Sequence, residues 1–155
     1  MATVRSAWAA GVKPMPSPND SMGVCNILLS CPVTAAQTAV NTIYVMGYLP
    51  EDCALVDAVF SATDVDTGGS PAHAMSFGII LDDETDLSGT ALQASITVGQ
   101  AGTATRLTQT ATTLTTATDG KTRKKLGYKV TTAAATGAAG TIYLSLSYRS
   151  TQYGA

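Results

Sequence analysis

The sequence is short of charge and of reactive side chains. Asp, Glu, Lys and Arg make up 13% of its residues, against about 25% in an average soluble protein. It has a single histidine, His73, so any Ser–His–Asp or Cys–His arrangement must pass through that residue. His73 alternates with Met75 and Phe77, the context of a core or rim histidine, and no G-x-S-x-G elbow occurs. Covalent catalysis is therefore not expected. Aromatic residues are 6% of the chain, too few to line a sugar cleft around a pair of catalytic acids. No P-loop, dinucleotide fingerprint or zinc spacing is present, and no cofactor is expected. The three cysteines, Cys25, Cys31 and Cys53, read as buried free thiols that act as small hydrophobes.

Cationic charge is also scarce. A formal net charge of −2 lacks the basic footprint that displaces counterions from phosphates, so no nucleic acid is expected as a partner. The one basic run, "KTRKK" at 121–125, reads as a solvated hairpin end. No apolar run approaches the roughly 18 residues that mark a membrane-spanning helix. The start, "MATVRSAWAAG", has no sustained apolar stretch of the secretory kind. Neither a membrane nor export is expected.

Thr, Ala, Ser and Gly fill the space left by charge. Thr favours strands because its branched Cβ fits a pleated surface. A surface of Thr, Ser and Ala is neutral and low in side-chain entropy, which suits packing against other protein. "CALVDAVFSAT" (53–63) alternates, with Ala54, Val56, Ala58, Phe60 and Ala62 expected on one face. "HAMSFGIIL" (73–81) places His73, Met75, Phe77, Ile79 and Leu81 together. In "TIYLSLSYRS" Ile142, Leu144, Leu146 and Tyr148 share a face. "VCNILLSCPVT" reads as a run ended by Pro32, and "NTIYVMGYLPED" as a strand that stops at a Leu-Pro-Glu-Asp turn. Residues 82–105 are irregular, with room for one or two helical turns near 90–96. Asp119–Gly120 signals a turn.

Short strands broken by Pro and Gly, with little helical period, predict an all-β fold, an antiparallel β-sandwich of jelly-roll-like type over residues 24–155. Residues 1–23 read as an extended N-terminal arm stiffened by Pro14, Pro16 and Pro18 and tipped by Trp8, the only tryptophan. These four residues are the expected partner contacts, and the arm is expected to be dispensable for the fold.

The stretch "FSATDVDTGGSPAHAMSFGIILDD" gathers acids around a Gly-Gly turn. Asp64, Asp66, Asp82 and Asp83 are the candidate calcium ligands, as hard oxygen donors in loops. The twelfth position of an EF-hand reading is Met75 rather than Glu. Asp64, Asp66, Thr67, Gly68 and Gly69 are better read as forming a corner, the acids bonding nearby backbone donors and the glycines supplying positive φ.

"YVMGYLPEDCALVDAVFSATDVDTGGSPAHAMSFGIILDD" followed by "TAAATGAAGTIYLSLSYRS" resembles small structural proteins from the virion gene clusters of tailed bacteriophages, over roughly two-fifths of the chain. The shared features are the turn before an alternating Val/Asp strand, the D-T-G corner and the closing strand. The arm and the cysteine-containing start lie outside the match. The resemblance implies a capsid cement or decoration protein, made in the host cytoplasm. It would bind the major capsid protein on the outer surface of the virion head as a homotrimer and stabilise the shell. Two other readings stand beside it. One is a lectin-like, carbohydrate-binding sandwich using Tyr44, Tyr48, Tyr128 or Tyr143; the other is a different virion part, such as a head–tail adaptor or the base of a head fibre.

Overall fold

Strands form where apolar residues alternate with small polar ones, because such a strand can bury one face and leave the other to solvent. The computed structural model describes residues 2–15, 23–118 and 122–151; among them are nine strands. They are β1 (Thr3–Arg5), β2 (Val24–Val33), β3 (Ile43–Leu49), β4 (Cys53–Ala62) and β5 (Ala74–Ile79), then β6 (Gln93–Ile96), β7 (Ala104–Arg106), β8 (Lys124–Thr132) and β9 (Gly140–Ser150). Of these, β2, the later part of β4 and β9 follow the alternation rule most clearly. One sheet has the order β1-β3-β8-β5-β6 and the other β2-β9-β4-β7. All pairs are antiparallel except β1 on β3, which is parallel. The chain changes sheet at most connections, and the result is an all-β sandwich.

The buried faces meet in one core. Ile142, Leu144, Leu146 and Tyr148 of β9 are each fully buried, as their alternation predicts. Phe60 of β4 packs across the sandwich on Phe77 of β5 and Tyr128 of β8, with ring centroids 5.0 and 5.9 Å away. The Tyr128 hydroxyl donates to the carbonyl of Tyr143 at 3.0 Å, joining the sheets with a polar tie. Cys25, Cys31 and Cys53 are buried and outside any disulfide, and burial pushes Cys31 and Cys53 up to about 11.

Several local expectations are corrected. β2 runs through Pro32 to Val33 instead of ending there. It is an edge strand, where a missing backbone N–H need not cost a ladder bond. In β4 a bulge between Leu55 and Asp57 flips the faces. Cys53 and Leu55 are therefore inside before it, and Ala58, Phe60 and Ala62 after it. Leu81 lies past the end of β5 and is exposed, while Ile80 is buried in a second small cluster with Ala9, Ile43 and Val45. Residues 93–96 form β6 rather than a helical turn, and the single-turn helix α1 (Ala111–Leu114) falls in the Thr-rich stretch instead. Asp119, Gly120 and Lys121 lie outside the described residues.

The N-terminal segment joins the sandwich. Thr3, Val4 and Arg5 pair with Ile43, Tyr44 and Val45. Ser6 is buried and its hydroxyl donates to the Met46 carbonyl. Trp8 is partly buried against the main core, and Ala9 belongs to the second cluster.

Candidate functional site

The Asp64–Gly69 corner is built around one carboxylate. Asp66 is 1% exposed and accepts backbone N–H bonds from Ala72 at 2.6 Å, His73 at 3.0 Å, Ala135 at 3.0 Å and Thr136 at 2.9 Å, with a longer one from Gly68. Loss of hydration pushes this carboxyl up, but the backbone donors outweigh it and hold Asp66 well below the usual carboxylate range. Asp64 closes a local turn by accepting from the Asp66 N–H at 3.0 Å. Thr67 donates its N–H to Thr136 at 3.0 Å. The corner thus ties the β4–β5 loop to the β8–β9 loop. Gly68 and Gly69 do not have positive φ. Gly68 is needed for space, since a Cβ there would sit 2.9 Å from the Ala135 Cβ.

His73 follows the corner and is fully buried. Neither ring nitrogen has a hydrogen-bond partner among the described residues, so no hydroxyl, thiol or carboxylate is placed to share its proton. Burial lowers its pKa from 6.5, with Asp66 acting weakly in the other direction. A buried imidazole whose charged form is disfavoured in this way fills space.

The second acid cluster is at the opposite end of β5. Glu84 receives Arg5 at 2.7 Å and Lys125 at 3.0 Å, and Asp86 receives Lys129 at 2.7 Å. Asp83 accepts from the backbone and hydroxyl of Thr85. Asp64 and Asp66 are therefore separated from Asp82 and Asp83 by the length of a strand. Among the described residues no three His, Cys, Asp or Glu side chains converge in a metal-sized group, so the four candidate calcium ligands are not brought together. The basic run is engaged rather than simply solvated: Lys124 donates to the Ala117 carbonyl, and Lys125 to that of Asp82.

Trp8 and Pro14 line one cleft, of about 710 Å³, with Lys13, Tyr48, Pro50, Glu51 and Arg123. Pro16 and Pro18 lie outside the described residues. The Lys13 ammonium sits 4.6 Å from the Trp8 ring centre, and the Arg123 guanidinium 4.5 Å from that of Tyr48. The Tyr48 hydroxyl donates to the Ala9 carbonyl at 3.1 Å, fixing the ring against the N-terminal segment. Lys13, Tyr48 and Arg123 are residues that sequence reasoning did not join to Trp8; only the pairing of β3 with β8 brings Tyr48 beside the start of β8.

The outer face of the four-stranded sheet carries small polar and aliphatic side chains and few charges. Its cross-strand rows include Val24–Arg149–Ala54, Asn26–Ser147–Asp57, Leu28–Ser145–Val59–Arg106 and Ser30–Tyr143–Ser61–Ala104. Asp57 and Arg106 form its ion pair at 2.7 Å. Leu28 is 57% exposed within it. The four tyrosines of the sugar-binding reading are dispersed: Tyr44 and Tyr128 are fully buried, Tyr48 is in the cleft, and Tyr143 is on this outer face.

The fold has solved counterparts. Over 96% of its length the chain is similar to 98% of a chain in "Capsid of Ralstonia phage GP4", at 29% identity and a TM-score of 0.82. It is also similar in fold to a chain in "Cyanophage Pam1 capsid asymmetric unit", at 21% identity and a TM-score of 0.65, over 89% of this chain and 94% of that one. No family model and no curated protein matches the sequence.

Proposed function

We propose that this chain is a non-enzymatic structural protein of a phage virion, and specifically a cement or decoration protein of the head. The observation that carries the reading is the end-to-end likeness, at 29% identity and a TM-score of 0.82, to a chain of a phage capsid. The geometry supports it. The ring of the lone histidine is buried without a hydrogen-bond partner among the described residues, and the molecule offers instead a sheet face rich in Ser with Val, Leu and Tyr that carries the Asp57–Arg106 ion pair. Such a face loses little side-chain entropy and little hydration on contact, which suits broad protein–protein packing.

In this reading the major capsid protein is the partner, and the chain sits on the outer surface of the head as a homotrimer. Three joined copies make later contacts intramolecular and raise grip without new chemistry. Trp8 and Pro14 take part in the contact, and the Asp66 corner shapes the rim of the sandwich. Purified protein added to heads that lack it should co-sediment with them to a fixed copy number, and light scattering should return three chains' mass. Protein that stays in the supernatant, or saturates only on tail structures, rejects the cement assignment.

A further inference from the structure

We propose that the cleft between Trp8 and Tyr48 is the docking site for an extended, carboxylate-bearing polypeptide segment of a neighbouring shell protein. This inference rests on the shell-binding reading and adds the chemistry of the contact.

Most cations near the cleft or on the sheets are held by an anion or a carbonyl among the described residues. Arg5 and Lys125 share Glu84, Lys129 holds Asp86, Arg106 holds Asp57, and Lys124 donates to a backbone carbonyl. Lys13 and Arg123 differ. Their contacts are with the faces of Trp8 and Tyr48. A ring face positions a cation without cancelling its charge as a carboxylate does. Both residues are exposed, and both line the same cleft. Glu51, the carboxylate in the lining, is itself exposed and leaves the cleft with net positive charge. In a protein of net charge −2, this is a local reversal of sign.

Those two fixed charges select an anion, and the walls select which kind. The partly buried indole and phenol rings, with Pro14 and Pro50, present apolar surface to anything that enters. A volume of about 710 Å³ takes several side chains. Aromatic and proline-lined grooves favour extended chain, which arrives with little conformational entropy left to lose. Two cations are too few for nucleic-acid backbone binding, where each neutralised phosphate adds to affinity. An extended acidic peptide satisfies both the charges and the apolar walls.

Trp8 is the chain's only tryptophan, so tryptophan emission, excited at the red edge where tyrosine does not absorb, reports on this cleft. The probe is a short capped peptide of Asp and Glu interspersed with Pro and Leu. Its Asn/Gln counterpart, inorganic tripolyphosphate and a single-stranded oligothymidylate serve as comparisons. The expected result is a saturable change in Trp8 emission with the acidic peptide, weakened as salt rises from about 0.05 to 0.3 M. Binding should fall at least about tenfold for the amide peptide and for a Lys13→Ala/Arg123→Ala double variant. Both side chains are exposed, so the variant's thermal melt should match the parent's. A Lys13→Glu/Arg123→Glu variant should bind the corresponding Lys-containing peptide instead. An unchanged emission, an equal response to the amide peptide, or an equal response to tripolyphosphate or the oligonucleotide overturns the proposal. Co-sedimentation separates the two levels. If the parent and the double Ala variant bind heads equally, the cleft assignment fails and the shell reading stands. If the parent does not bind heads, the shell reading fails, and the peptide titration alone decides whether the cleft takes acidic chain.

Discussion

The carboxylate of Asp66 accepts the backbone N–H of Thr136 at 2.9 Å, across 70 positions of sequence. With Ala135, Ala72 and His73 as further donors, one side chain satisfies backbone groups from two loops that have no strand of their own. This is how a corner rich in Gly and Ala holds a single shape, and replacing the side chain tests it. Asp66→Ala leaves these donors without an acceptor in a buried place. Its melting temperature should fall by roughly 10 °C or more. Asp66→Asn keeps a carbonyl oxygen but adds donors, and should fall part of the way. A scan in which both variants melt with the parent would contradict this role.

Acid should weaken the protein in two separate steps. His73 has a folded-state pKa below 6.5 because of burial, so the unfolded chain binds a proton that the folded one refuses. Stability from this source is level above 6.5 and declines as pH falls below it. Asp66 and Glu84 have lowered pKa values, so their contribution is present above the ordinary carboxylate range and is lost only below it. Urea midpoints of the parent should therefore drop between about pH 7 and pH 5.5, while His73→Leu should be flat across that window. A parent curve as flat as the variant's would show that the imidazole is not sealed.

Gly127 of β8 faces β3 where no side chain fits. A Cβ there would collide with the Tyr44 carbonyl oxygen, beside the bulge that shifts the register between Val45 and Gly47. Gly127→Ala should cost at least about 3 kcal/mol, the upper range for overpacking, because backbone rather than a side chain must move. Gly69→Ala, which meets nothing within 4 Å, is the control and should melt close to the parent.

Deleting residues 2–15 removes β1, the Ser6 bond to Met46 and one of the two cations on Glu84. The truncated chain should keep the β-type circular dichroism of the sandwich but melt roughly 10 °C lower. The single change Arg5→Ala should cost only a few degrees, since its guanidinium is partly in water. A truncation that melts with the parent would mean the segment adds contact surface and no stability.

Much of the sandwich is legible in the sequence where a strand is long and has one wet face. β9 is the clearest case: Ile142, Leu144, Leu146 and Tyr148 are all buried, and each alternates with a smaller or polar residue. β4 shows the limit. Its alternation is visible, but the bulge between Leu55 and Asp57 swaps which residues point inward, and nothing in the run Leu55-Val56-Asp57 announces it, with no Gly or Pro to mark the irregularity. β6 and β7 have four and three residues, too few for a period to emerge from a Thr- and Ala-rich background. The corner was visible in its Asp and Gly residues, but its true partners, Ala135 and Thr136, are backbone donors that carry no side-chain signature. The cleft was half visible: Trp8 and Pro14 stood out by rarity, whereas Arg123 and Tyr48 meet only because β3 pairs with β8.

The central claim is that this chain works by covering part of a phage head. An image of the intact particle, with this chain fused to a small tag of recognisable density, tests it most directly. Extra density should appear on the outside of the head, in a regular array with three copies around each site. Tag density confined to the tail or the neck, or absent from purified particles altogether, would contradict the account.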